Sequence, residues 1–169
     1  MAEKLSDDIS QQLITMAEVD QAMRNRAMNG ERWDASVDKA NTESLKTLIQ
    51  NHGWPTISKV GIEGSQAAWL IAQHADHDVE FQAECLELMR NESRNEVNST
   101  HLAYLEDRVR VNQGRPQLYG TQFFGTGDEL KPRPIEDEKA LDERRAEVGL
   151  GSFDDYRKQI EEIDRKSKH

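Results

Sequence analysis

Two ionisable residues, His74 and Asp78, interrupt the apolar pattern of the run AAWLIAQHADHDVEFQAECLELM at 67–89. On a helix turning about 100° per residue, Ala67, Ile71, His74, Asp78, Phe81, Cys85 and Met89 share one stripe. Burying a carboxylate costs several kcal/mol unless it is paired, and side chains at i and i+4 reach one another. The spacing therefore predicts that His74 and Asp78 face each other. An aspartate that orients one imidazole nitrogen and stabilises its cation leaves the other as a general acid or base near neutral pH. The same spacing equally suits a buried pair that only fixes helix packing.

Other residues extend the pattern. Asp20 falls between Met16 and Met23 in a second apolar stripe, and Asn41 and His52 fall with Val37, Leu45 and Leu48 in a third. Helices of one core turn their stripes inward, which would place Asp20, Asn41, His52, His74 and Asp78 around one polar cavity. Plainer roles also fit: a stripe edge for Asp20, a cap for Asn41, a helix C-terminus for His52. A divalent metal would use His74 and Asp78, with His77, Asp20 or His52 as a third ligand. HADHD is not the HExxH zinc pattern, so no cofactor is predicted and the metal stands as the alternative. In QLYGTQFF at 117–124, Tyr119, Thr121 and Gln122 surround a glycine and are candidate substrate hydrogen-bonding groups; an ordinary strand has the same residue types. Cys85 reads as core, Gly125-Thr-Gly127 is not a dinucleotide fingerprint, and no GxSxG is present.

The elements that must position these groups are mostly helices. Apolar residues recur at three- and four-residue steps from Ser6 to about Asn29, from Arg32 to Asn51 and from Gln66 to Asn91, the last a central helix with no internal proline or glycine. A fourth helix starts at Ser99 or Thr100 and ends before Gly114. The β signal is confined to a short hairpin or extended arm near residues 117–135. Asp137 opens a helix ending at Gly149, and Ser152 caps a last one to about Lys166, followed by a frayed tail. The expected fold is mainly α: a compact multi-helix single domain over 1–169, its core about 6–166.

Charge narrows the function. The 169 residues carry 22 Lys and Arg against 32 Asp and Glu, a formal net charge of −10, which repels phosphate backbones and anionic membranes. Nucleic-acid and membrane partners are therefore not expected. One cysteine gives no disulfide framework, and the charged N-terminal stretch has no signal-peptide pattern. The expected compartment is the cytoplasm.

Several strings together resemble a bacterial family of domains of unknown function: HGWP at 52–55, AAWLIAQHADHD at 67–78, LAYLEDRV at 102–109, GRPQLYGTQF at 114–123 and DERRAEVGL at 142–150. The resemblance implies that His74, Asp76, Gln117, Tyr119, Gly120, Thr121 and Gln122 belong to the family signature; it brings no reaction with it. Two classes follow from the residues themselves. One is an enzyme acting on a small polar molecule by proton transfer or hydrolysis, with His74 as acid–base, Asp78 as its orienter and Tyr119, Thr121 and Gln122 on substrate. The other is a non-catalytic module binding a small ligand or a protein partner.

Overall fold

The computed structural model describes residues 3–168. His169, the end of the tail expected to fray, and Met1 and Ala2 lie outside the described residues. The expectation of a mainly helical fold with one short β element holds. Seven α-helices run among the described residues: α1 (Asp7–Met28), α2 (Ala35–His52), α3 (Ile57–Gln73), α4 (Val79–Arg90), α5 (Ser99–Asn112), α6 (Leu141–Glu147) and α7 (Phe153–Lys166). The single sheet among the described residues pairs β1 (Phe123–Phe124) antiparallel to β2 (Lys131–Pro132), with Phe123 opposite Pro132. The chain forms two compact units, one ending at His101 and the other beginning at Leu102, within α5.

In the first unit α1, α2 and α3 pack on one another, α1 most closely against α3, and α4 packs on α3. The core is built from Leu13, Met16 and Met23 of α1, Leu45 and Leu48 of α2, Ala67, Ala68, Ile71 and Ala72 of α3, and Phe81, Cys85 and Leu86 of α4. Fully burying a leucine such as Leu13 or Leu45 contributes about 1.5–3 kcal/mol relative to exposure. Small residues let α3 approach its neighbours. At Gly64 an added Cβ would lie 2.9 Å from Val60 Cβ and 3.0 Å from Ser10 Oγ, and the Ser10 hydroxyl is held by the Val60 carbonyl at 2.7 Å. We expect Gly64→Ala to destabilise the protein by about 1–3 kcal/mol by overpacking, although alanine is the better helix former. Urea midpoints would check this, and a stabilised variant would contradict the close approach.

The central helix expected over residues 66–91 is two helices. The chain leaves α3 after Gln73 and enters α4 at Val79. Asp78 is the N-cap of α4 and accepts the Phe81 N–H at 3.1 Å. The buried Gln82 side chain reaches back and donates to the Ala72 and Gln73 carbonyls, both at 3.1 Å. These contacts satisfy both facing helix ends, which would otherwise leave backbone groups without partners. An aspartate at such a position competes with helix continuation by bonding nearby backbone N–H groups. The stripe drawn through 74 and 78 on one helix is therefore corrected.

The second unit holds the remainder of α5, the hairpin, α6 and α7. Ser152 caps α7 as expected, accepting Asp155 N–H at 3.2 Å. Asp137 does not open a regular helix; it adopts φ 45° before a 3-10 turn over Glu138–Ala140 that leads into α6.

Candidate functional site

His74 is the C-cap of α3, and its partner is Asp20 of α1, not Asp78. His74 Nδ1 lies 2.9 Å from Asp20 Oδ1 and 3.0 Å from Oδ2. Asp20 is 1% exposed and also accepts from Arg24 Nε at 3.1 Å and Gln21 Nε2 at 2.8 Å. Arg24 continues the cluster across to α2, where its Nη2 donates to Asp38 Oδ1 at 2.7 Å. Its guanidinium carbon sits 4.7 Å from the centre of the Trp33 ring, which is 49% exposed.

Charge decides the proton positions. Burial alone would push the Asp20 carboxyl up, but the hydrogen bonds and positive charge of His74 and Arg24 outweigh it and hold the group at about 2. An ionised carboxylate only accepts, so Nδ1 carries the proton toward Asp20. Arg24 Nε, which is also 3.0 Å from Nδ1, donates to Asp20 Oδ2. The tautomer follows from this network. It turns His74 Nε2 away from Asp20, and Nε2 makes no hydrogen bond among the described residues. The His74 side chain is 17% exposed. At Asp38 burial prevails over the Arg24 ion pair and raises the carboxyl.

The remaining expected cavity members go elsewhere. Asp78 caps α4 and pairs with Lys46 Nζ at 2.8 Å; that hydrogen bond, with the one from Phe81 N–H, lowers its carboxyl, and with the one to Glu43 it raises the Lys46 ammonium. Lys46 Nζ also lies 5.3 Å from the Phe81 ring centre, beside an open cavity of about 270 Å³ that Asp78 lines. Asn41 donates to the Met16 carbonyl at 3.1 Å inside the helix packing. His52 is the last residue of α2, and its carbonyl accepts Lys59 Nζ at 2.8 Å. His77 is exposed. Among the described residues no group of three or more His, Cys, Asp or Glu is disposed to hold a metal ion.

The QLYGTQ segment lies in the second unit and is neither a strand nor an open set of hydrogen-bonding groups. The buried Asp107 carboxylate of α5 accepts Leu118 N–H at 2.7 Å, Tyr119 N–H at 3.0 Å, and Thr121 N–H and hydroxyl at 3.0 and 2.9 Å. Gln117 Oε1 accepts the Gln122 N–H, and its Nε2 donates to the Gln122 and Arg133 carbonyls, each at 2.9 Å. Arg145, only 2% exposed, donates to the Tyr119 carbonyl, Arg144 to that of Leu118, and the Tyr156 hydroxyl to that of Thr121. Gly120 has φ 68°, and an added Cβ would stand 2.8 Å from the Phe153 ring. Thr121 and Gln122 are buried, with Gln122 Oε1 bound by Arg108 and its Nε2 by Thr121. The segment is a loop knitted on itself around the buried Asp107 carboxyl.

Residues 7–166 match a family described as a family of unknown function, DUF6624. The chain belongs to this family. No curated protein and no solved structure matches it. Membership in DUF6624 thus brings no ligand or reaction, and the case for a site rests on the Asp20–His74 geometry. Arg24, Asp38 and Trp33 are the cluster members that sequence reasoning missed. Arg24 had a signal, since it lies one helical turn after Asp20; Asp38 and Trp33 had none. No helix among the described residues is long and apolar enough to cross a membrane.

Proposed function

We propose that the protein is an enzyme acting on a small polar molecule by proton transfer or hydrolysis, with His74 as general acid–base and Asp20, rather than Asp78, as its orienting carboxylate. The observation that carries this reading is the Nδ1 contact of 2.9 Å to an ionised, buried Asp20, which leaves Nε2 as the working nitrogen. Nε2 takes a proton from a water or substrate hydroxyl as that oxygen attacks, and returns it to the leaving group. Between the two transfers the imidazolium is stabilised by the Asp20 charge. Arg24 Nη1, which has no partner among the described residues, is placed to hold an anionic oxygen of the substrate beside the exposed Trp33 ring. No metal takes part in this reading.

Hydrolysis of 4-nitrophenyl acetate at neutral pH tests it. Wild type should exceed the rate of an equal concentration of free imidazole, and His74→Gln should lower the excess about 100-fold, the low end for general acid–base catalysis. Asp20→Asn should lower it as well, and a chelator should leave it unchanged. A folded His74→Gln variant with undiminished activity, or a wild-type rate no faster than imidazole, overturns the proposal.

One observation favours the binding-module reading. An apolar groove of about 340 Å³ between α1 and α3 is lined by Ile14, Ala17 and Leu70 and rimmed by Glu18 and Glu63, the charge and shape for a basic amphipathic helix of a partner. Retained binding of such a peptide by His74→Gln, together with absent esterase activity, would favour the module.

A further inference from the structure

A further cavity in the first unit, of about 310 Å³, is lined by none of the residues in the Asp20–His74 cluster. Ile57, Ile62 and Val97 supply its apolar wall, and Arg94 and Ser65 its strongest polar groups. Arg94 makes no ion pair and no hydrogen bond among the described residues, in a chain whose formal charge is −10. Ser65 is 8% exposed, and its hydroxyl has no partner among the described residues. Its usual acceptor would be the carbonyl four residues back, and Gly61 there leaves the helical conformation at φ 77°, ψ 172°. The Ser65 hydroxyl, at the lining of the cavity, therefore keeps its hydrogen-bonding capacity for a group that enters.

The first turn of α5 closes the same cavity. Asn98 Oδ1 accepts Thr100 N–H at 2.9 Å and His101 N–H at 3.3 Å, which fixes the positive end of the helix there. The His101 ring stacks on Trp69 with centres 4.0 Å apart and planes 6° from parallel, so its orientation is set. Burial lowers the His101 imidazole, so it acts as a neutral hydrogen-bonding group and not as a second cation. One guanidinium, one helix end, one unpartnered hydroxyl and an aliphatic wall match a singly charged ligand with an apolar body.

We propose that this cavity binds a small organic carboxylate, its charged end on Arg94, the Ser65 hydroxyl and the α5 N-terminus, and its apolar body against Ile57, Ile62 and Val97. Benzoate is the probe, benzamide its uncharged counterpart and inorganic phosphate the control for anion binding without an apolar body. Titration of the isotopically labelled full chain, followed by backbone amide signals, should give saturable shifts at Ser65, Arg94 and His101 with benzoate. Benzamide and phosphate should each bind at least about tenfold more weakly, roughly 1.4 kcal/mol. Arg94→Gln should erase the preference for benzoate over benzamide. Arg94 is exposed, so that variant is expected to fold, and Ser65→Ala, which fills the same space with less, should weaken benzoate several-fold. Shifts that do not saturate, equal binding of benzamide, preference for phosphate, or an unchanged Arg94→Gln variant would each overturn the proposal. None of these outcomes depends on esterase activity at His74.

Discussion

Asp107→Ala is expected to be among the most damaging single substitutions in the chain, with a loss of about 3–5 kcal/mol, the scale for removing one side of a buried charged network. Four donors from Leu118, Tyr119 and Thr121 converge on this carboxylate, and alanine would strand them all away from water. The carboxyl is nonetheless raised from its ordinary value, because burial outweighs the hydrogen bonds from the loop. Keeping Asp107 ionised at neutral pH is thus itself costly, and the network offsets that cost. Asp107→Asn removes the buried charge and keeps one acceptor oxygen, so its loss should be nearer 1 kcal/mol. Denaturant unfolding of the three proteins, followed by near-ultraviolet dichroism of the tyrosines, distinguishes the two variants. Equal losses for Asn and Ala would mean that charge, not acceptor geometry, organises the loop.

This loop also shows where sequence reasoning reached and where it stopped. QLYGTQ was legible as a distinctive string and the glycine as a close approach. The acceptor that explains the string, Asp107, was not legible, because pattern alone does not reveal which helix residue a later loop folds onto. Helices with one clear stripe were legible: α1 from Ile9 and Leu13 onward, and α7, which also has its cap at Ser152. The break between α3 and α4 was not, since an apolar stripe continued across it. Asp78 followed by Glu80 was the available signal for a new helix start. The Asp20–His74 pair joins residues 54 positions apart; both were legible as ionisable groups in apolar stripes, but not as partners. Local spacing favoured Asp78 because within one helix it is neighbours three or four residues apart that meet.

Acid should reveal that pairing as a pH-dependent difference between wild type and Asp20→Asn. The Asp20 carboxyl is depressed from 3.8 to about 2 in the folded protein, and a depressed carboxyl stabilises the fold above its unfolded value. That contribution is complete above about pH 4 and fades as the pH falls toward 2. The depression corresponds to about 2 kcal/mol. Asp38 and Asp107 act in the opposite sense: both are raised, so they favour the fold below the ordinary carboxylate value and less as the pH rises through their own. A single acid-unfolding curve would blur these opposing contributions. The difference between two chains that share Asp107 removes it, and Asp38 enters only through its coupling to Asp20 by way of Arg24. Urea unfolding at intervals from about pH 6 to pH 2 should therefore show the advantage of wild type over Asp20→Asn shrinking by about 2 kcal/mol, nearly all of it below pH 4. Asp78→Asn, whose carboxylate is more exposed and paired with Lys46, should show a smaller change over the same range, because solvent screens an exposed ion pair. A gap between wild type and Asp20→Asn that stays constant down to pH 2 would mean that Asp20 is not held ionised by His74 and Arg24, and the orientation assigned to the imidazole would fall with it.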